Sequence, residues 1–166
     1  MDYTVTYSSP KGEILIASDG SNIIGLWFSG QTHYGEGLQQ PVLDGSSLPI
    51  LSKATEWLDS YWQGKKPSPT DLPLKPRGTE FQKKVWQLLL KIPYGSTVTY
   101  GSLAKGIAAQ EDRTAMSAQA VGNAVSRNPI SIIIPCHRVI GANGSLTGYA
   151  GGIPLKATIL HHEGFL

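Results

Sequence analysis

A proline-rich segment divides this chain of 166 residues into two halves of different character. Residues 64–78, GKKPSPTDLPLKPRG, contain four of the 11 prolines and few large apolar side chains, which is typical of a linker. The length allows one large domain or two small ones. We therefore predict an N-terminal domain over residues 1–75 and a C-terminal domain over residues 79–166, joined by about residues 64–78.

The first half has the pattern of a small sheet with one helix. Alternation over Tyr3–Ser9 predicts a strand, and further strand candidates follow at Glu13–Ser18 and Asn22–Phe28 after a turn at residues 10–12. Residues 30–47 are rich in glycine and polar residues and are predicted as a loop. The apolar residues that recur at helical spacing through Trp62 are Leu51, Ala54, Leu58 and Tyr61. We predict an antiparallel sheet with one helix packed on it.

The second half carries three helix starts. Thr79 and Gln82 form a capping-box signal, and an apolar stripe follows them. Its members are Phe81, Val85, Leu88, Leu89 and Ile92. Thr99 and Ser117 are candidate caps of two further short helices, separated by the polar residues 106–116.

Charge favours a polyanionic partner for the second half. Residues 76–166 hold nine Lys and Arg against four Asp and Glu, whereas residues 1–75 hold five against eight. Two short helices on a basic background suggest a helix-turn-helix, although the connection is longer than the usual 3–4 residues. In that case Gln119, Asn123 and Ser126 line the outward face of the second helix. Ordinary helical packing fits the pattern equally well.

A single cysteine lies in the second half. The apolar run Ser131–Ile134 predicts a buried strand that leads directly into Cys136, His137 and Arg138. A free cysteine commonly behaves as a small buried hydrophobe, but cationic neighbours lower a thiol pKa and the thiolate is the nucleophile. Glu163 near the C-terminus offers a carboxylate to orient a histidine. This chemistry alone leaves a cysteine hydrolase open.

Other classes of site lack their residues. One cysteine allows neither an internal disulfide nor a site of several cysteines, and the four histidines show no zinc-site spacing. No run approaches the ~20 apolar residues of a membrane span, and the first residues carry no secretion signal. We therefore expect no metal, no organic cofactor, no membrane partner and a cytoplasmic location.

Four stretches together resemble the O6-alkylguanine-DNA alkyltransferases, also called methylated-DNA–protein-cysteine methyltransferases. They are Arg127–Pro129, Ile132–Gly141 with its PCHRV motif, Gly148–Gly152 and His162–Gly164. The resemblance extends from about Thr79 to the C-terminus, and the first half matches only in length and element order. It implies an α/β (α+β) protein with a ribonuclease-H-like N-terminal domain and a mainly helical, winged helix-turn-helix-like C-terminal domain.

The resemblance also implies residue roles. Cys136 would take the alkyl group from guanine O6 by direct displacement, and His137 and Glu163 would deprotonate it through a water. Tyr100 would donate a proton to the guanine ring, while Asn128 would serve as the hinge between the recognition helix and the active-site segment. Arg138 is interpreted as structural, paired within the protein. The substrate-binding candidates are Val139, Tyr149, Ala150 and Gly151.

Double-stranded DNA carrying O6-alkylguanine is the implied partner, because a paired base must leave the stack to be attacked. O4-alkylthymine is a further candidate substrate. The DNA-contacting candidates are Gly101, Arg113, Gln119, Ala120, Gly122, Asn123 and Arg127, with Lys105 as a further phosphate contact. Gln119 stands where the family usually has an arginine finger, which is a departure from its pattern. We expect a monomer that acts once per molecule, since S-methylcysteine is a stable thioether.

Three alternatives remain. A non-catalytic lesion-binding relative usually replaces the cysteine by tryptophan, so Cys136 argues against it. A cysteine hydrolase would need repeated turnover and an oxyanion hole. A transcriptional regulator would need arginine and asparagine side chains for base readout, and the outward helix face has few of them.

Overall fold

The computed structural model describes residues 1–111 and 116–165, and its backbone separates into two units. The first unit comprises Met1–Arg77 together with Pro129–Ser131, and the second comprises residues 78–128 and 132–166. The division between Arg77 and Gly78 falls within the proline-rich segment. Residues 129–131 lie with the first unit although they are distant from it in sequence.

Three strands of the first unit lie where strands were predicted. β1 (Asp2–Ser9) and β2 (Gly12–Ser18) form an antiparallel hairpin around the turn at Pro10–Lys11, and β3 (Ile23–Phe28) pairs antiparallel with β2. α1 (Pro49–Trp62) packs on this sheet and buries Leu51, Ala54, Trp57, Leu58 and Tyr61. The helix and all of these core-facing residues except Trp57 were predicted from their spacing.

The loop predicted over residues 30–47 is wrong at one place. β4 (Val42–Asp44) lies there and pairs parallel with β1, giving the sheet order β3-β2-β1-β4. The sheet is therefore not wholly antiparallel. A three-residue strand between Pro41 and Gly45 is too short to show an alternating pattern.

The proline-rich segment is fastened to the first unit. The Ile23 N–H donates to the Pro73 carbonyl and the Lys75 N–H to the Ile23 carbonyl, each at 2.8 Å. Arg77 forms a bidentate pair with the fully buried carboxylate of Asp2, at 2.7 and 2.8 Å. The segment therefore extends the packed surface of this unit as far as Arg77.

The second unit is mainly helical. Its helices are α2 (Glu80–Leu89), α3 (Tyr100–Gln110), α4 (Ala118–Ser126) and α5 (Ile153–His162). The three predicted caps form: Thr79, Thr99 and Ser117 accept from backbone N–H groups in the first turns of α2, α3 and α4. Two short strands, β5 (Val98–Thr99) and β6 (Val139–Ile140), pair in parallel. Helices α2, α3 and α4 pack on one another.

The strand predicted over Ser131–Ile134 is wrong. These residues form a turn, and Ile132 has φ of +69°. Their apolar character reflects burial rather than strand pairing. The contact with β3 is an isolated bridge of the preceding Ile130 to Leu26, in which the Ser131 N–H donates to the Leu26 carbonyl at 3.0 Å. A β-branched residue in the left-handed region is strained, so the surrounding packing must hold this turn.

No helix in the described part of the chain is long and apolar enough to cross a membrane.

Candidate active site

The pairing of two short strands brings Tyr100 close to Cys136. Cys136, His137 and Arg138 form one 3₁₀ turn, and β6 begins at the next residue. Val139 of β6 pairs with Val98 of β5, and Tyr100 begins α3 directly after β5. The pairing therefore places two sequence-distant parts of the predicted site side by side.

Cys136 is a buried thiol whose surroundings both oppose and support ionisation. Burial raises its pKa, while the Asn128 side chain and the charge of Lys156 act in the opposite direction. Asn128 is itself fixed by a hydrogen bond from Nδ2 to the Ile134 carbonyl, at 2.8 Å. Because the net pKa is raised, the resting thiol keeps its proton and needs a base to become a nucleophile.

His137 has the arrangement of such a base. Its Nε2 lies 2.7 Å from Glu163 Oε2, and both side chains are fully buried. Burial lowers the pKa of His137 despite the opposing effect of Glu163, so the ring is neutral at pH 7. Its Nδ1 is buried without a hydrogen-bond partner in the described part of the chain. When Nε2 donates to Glu163, Nδ1 carries the lone pair that can accept a proton.

Glu163 is shared between His137 and Arg138. Arg138 Nε donates to Oε1 at 2.7 Å and Nη2 donates to Oε2 at 3.0 Å, while Nη1 donates to the Ile92 carbonyl at 2.7 Å. Burial alone would raise the pKa of Glu163, but His137 and Arg138 together hold it well below its usual range. The carboxylate is therefore a fixed anion that orients the histidine.

Arg138 is thus paired internally, as its structural interpretation predicts. It is not the cation that stabilises the thiolate. The guanidinium is committed to Glu163 and the Ile92 carbonyl and lies over the Tyr94 ring, 5.6 Å from its centroid.

Tyr100 is held by a loop between β6 and α5. Its hydroxyl donates to the Thr147 carbonyl at 2.9 Å, and burial together with negative charge on Cys136 raises its pKa. Gly148 permits this contact: it has φ of +72°, and a Cβ there would lie 2.8 Å from the tyrosine oxygen. The predicted pocket residues Tyr149, Ala150 and Gly151 follow in the same loop and are half-buried.

Lys156 belongs to this site and was not predicted. Its side chain is fully buried in α5, and Nζ donates to the Thr147 carbonyl at 2.7 Å. Burial lowers its pKa to about 8, against the attraction of a charged Cys136. A sequence signal exists, because Lys156 precedes the buried Ile159 and Leu160 at helical spacing and so occupies a core-facing position of α5.

The predicted DNA-contacting residues lie on or beside α3 and α4. The exposed ones are Gly101, Lys105, Gln119, Asn123 and Arg127, whereas Ala120, Gly122 and Ser126 are half-buried. Gly122 faces the Tyr100 ring, and a Cβ there would lie 3.7 Å from two of its carbons. The prediction for Arg113 concerns residues 112–115, which are outside the described part of the chain.

Among residues 1–111 and 116–165, no three His, Cys, Asp or Glu side chains come together in a way that could hold a metal ion. The expectations of no metal and no organic cofactor remain predictions.

Two family models match the chain on either side of its division. The model described as 6-O-methylguanine DNA methyltransferase, ribonuclease-like domain, matches residues 3–76. The model described as 6-O-methylguanine DNA methyltransferase, DNA binding domain, matches residues 80–165.

Curated relatives and solved structures are similar over nearly the whole length. The methylated-DNA–protein-cysteine methyltransferase of Methanosarcina acetivorans is 43% identical over 162 residues, covering 98% of each chain. That of Haemophilus influenzae is 40% identical over 161 residues, covering 97% of this chain and 86% of the relative. The crystal structure of Mycobacterium tuberculosis OGT in complex with DNA has a TM-score of 0.82 and 40% identity, covering 97% of this chain and 92% of that one.

Proposed function

Because this chain belongs to the 6-O-methylguanine DNA methyltransferase family, we propose that it repairs O6-alkylguanine in DNA by transferring the alkyl group to its own Cys136. The observation that carries the proposal is a set of three buried side chains, Cys136, His137 and Glu163. Glu163 binds His137 Nε2, which leaves Nδ1 to accept a proton. The fold supports DNA as the partner, since a similar structure was solved in complex with DNA.

The chemistry proceeds as a displacement at carbon. A water bridging the thiol and His137 Nδ1 passes the Cys136 proton to the imidazole, while Glu163 stabilises the imidazolium that forms. The thiolate attacks the alkyl carbon, the S–C bond forms and the C–O6 bond breaks. The electron pair of that bond stays on the guanine, and Tyr100 donates its hydroxyl proton to the ring.

The substrate guanine must leave the duplex to reach Cys136, because its O6 takes part in base pairing. We assign α4 to the minor groove, where its small residues Ala118, Ala120 and Gly122 allow close approach, whereas Ala124 is buried and faces the core. Gln119 occupies the space left by the flipped base, with Gly101, Asn123 and Arg127 along the backbone. The base then enters the pocket formed by Val139 and Tyr149–Gly151.

Each molecule acts once. The product is a thioether, and the sequence has no second cysteine to accept the group. The reaction as proposed needs only groups of one chain, and we propose that the protein acts as a monomer. We extend the proposal to O4-alkylthymine, since the thiolate attacks the alkyl carbon and the oxygen serves only as leaving atom. A thiol that must stay free suits the reducing cytoplasm.

The experiment that tests the function is a titration of a duplex containing one O6-methylguanine with increasing protein. We expect restored guanine to equal the protein added, with no further repair on longer incubation, and no repair by Cys136→Ser. Continued repair beyond one event per molecule would contradict the suicide reaction and favour a hydrolase. Tight binding without repair would favour a non-catalytic lesion-binding protein.

A further inference from the structure

The segment of residues 129–131 pairs with the outer edge of β3. This strand lies at one edge of its sheet, so its outward-facing N–H and C=O groups need partners from elsewhere in the chain. The Leu26 N–H donates to the Pro129 carbonyl at 2.8 Å, and the Ser131 N–H donates to the Leu26 carbonyl at 3.0 Å. This is the pattern of a parallel strand pair. Its next step would use the N–H and C=O of Phe28, the last residue of β3.

Gln31 occupies both of those groups on Phe28. The Phe28 N–H donates to the side-chain Oε1 of Gln31 at 2.9 Å, and the Gln31 N–H donates to the Phe28 carbonyl at 3.1 Å. Gln31 is buried, and its Oε1 also accepts a hydrogen bond from the Ser131 hydroxyl at 3.3 Å. All three residues belong to the first unit. The pairing on this edge of β3 therefore ends at Gln31, and the chain cannot continue along the strand after Ser131.

The chain turns away at the next residue. Ile132 has φ of +69°, which is strained for a β-branched residue. Three of the four residues in Ser131–Ile134 are isoleucine, which has a high strand propensity, so this sequence favours continued pairing with β3. Gln31 opposes that preference because it occupies the groups of Phe28 that the pairing would need. The turn that forms instead leads into Cys136.

We propose that Gln31 is a positioning residue for the alkyl transfer: it ends the pairing on β3, enforces the turn at Ile132 and so sets the position of Cys136. The inference rests on the proposed function. Displacement at the alkyl carbon needs the sulfur close to that carbon and in line with the C–O6 bond. A misplacement of about 1 Å can cost ~10²-fold in rate, even when its cause lies far from the reacting atoms.

The test measures single-turnover methyl transfer to Cys136 over a range of protein concentrations, which separates the limiting rate from the half-saturating concentration. Gln31→Met removes the acceptor oxygen but keeps a side chain of similar length. We expect its limiting rate to fall about tenfold or more. The half-saturating concentration should stay within about twofold, because the substitution leaves α4 unchanged. Gln31→Glu keeps an acceptor oxygen at the same distance from the backbone and should restore the limiting rate to within about threefold of wild type.

A spectroscopic signature separates positioning from a loss of stability. Backbone carbon chemical shifts of Ile132 report its conformation. They should be left-handed in the wild type and in Gln31→Glu, and displaced towards strand values in Gln31→Met. Ser18→Ala is the matched control, since the buried Ser18 hydroxyl accepts from the Gly20 N–H at 2.9 Å in the same unit. Ser18→Ala should lower Tm without altering the limiting rate or the Ile132 shifts.

Three outcomes would overturn the role of Gln31: a wild-type limiting rate in Gln31→Met, a Gln31→Glu rate as low as that of Gln31→Met, or an equal loss in Ser18→Ala. A loss confined to the half-saturating concentration would also contradict it. If Gln31→Met does not fold, slow transfer by folded Gln31→Glu or strand-like Ile132 shifts in the wild type would refute the role. Absence of transfer by the wild type would instead overturn the proposed function, while the Ile132 shifts would still show whether Gln31 enforces the turn.

Discussion

At the scale of single residues, the Glu163 carboxylate sets the tautomer of the base, His137. Glu163 accepts hydrogen bonds from His137 and Arg138, and its bond with His137 fixes the tautomer of the ring. Because Arg138 also binds the carboxylate, Glu163 does not take the His137 proton completely. The imidazole is left neutral, with Nδ1 as its proton-accepting atom. The base can therefore accept a proton before substrate binds, and the thiol ionises by passing its proton to His137.

The acid side of the rate profile follows from His137. Burial lowers its pKa below the usual 6.5, and only the neutral ring can act as a base. As the pH falls, transfer should stay fast through pH 6.5 and decline only below it, which single-turnover rates at saturating DNA will show. A decline centred at or above pH 6.5 would mean that His137 is not the base. Glu163→Gln should move the midpoint to still lower pH and slow transfer by about 10²-fold or more.

Gln119 is the second residue with a direct test. Arginine at this exposed position adds a positive charge next to the DNA backbone, so Gln119→Arg should raise repair rate or DNA affinity. It should also steepen the slope of log affinity against log salt by up to about 0.9 for one added phosphate contact. Equilibrium binding at several salt concentrations measures both effects. If neither the repair rate nor the DNA affinity changes in Gln119→Arg or in Gln119→Ala, Gln119 is not the finger residue.

Single residues with chemical roles were predictable where a motif carried them. The resemblance at PCHRV and HEG supplied Cys136, His137 and Glu163, which the structure brings together. Lys156 was missed: its core-facing position in α5 follows from helical spacing, but its contact with the Thr147 carbonyl, nine residues earlier, leaves no pattern in the sequence. Arg138 was predicted to pair within the protein, but its partner Glu163, 25 residues away, was not predicted.

At the scale of secondary-structure elements, the helix caps could be predicted from the sequence, but the pairing of β5 with β6 could not. Thr79, Thr99 and Ser117 cap their helices through bonds to residues three positions ahead, so the signal lies within one turn. β5 and β6 contain two residues each and form by pairing about 40 positions apart, which leaves no periodic pattern. The turn at residues 131–134 was taken for a strand because complete burial produces the same apolar run.

Two of these caps form a matched pair for testing the recognition helix. Ser117→Ala removes the cap of α4, and Thr79→Ala removes that of α2 in the same unit. Each should lower the free energy of unfolding by about 1 kcal/mol. DNA affinity should fall with Ser117→Ala, because the first turn of α4 carries Gln119 and Ala120, and should hold with Thr79→Ala. Equal losses of affinity in the two variants would show that α4 has no special part in binding.

For the whole molecule, charge and chemistry are concentrated in the same unit. Residues 76–166 carry the basic excess, and every side chain assigned to the reaction lies among them. The first unit offers a sheet, a helix and the ion pair of the buried Asp2 with Arg77, which suits a scaffold. Composition predicted two halves, but it gave no sign that residues 129–131 join the first unit through Ile130 and Leu26.

The central claim is that Cys136 itself receives the alkyl group from DNA. The most direct measurement is the mass of the intact protein, and of its peptides, after mixing with a duplex that contains one O6-methylguanine. The account predicts a gain of one methyl group per molecule, located on Cys136, with unmodified guanine restored in the DNA. Repair without a mass gain, or a methyl group on any other residue, would contradict it.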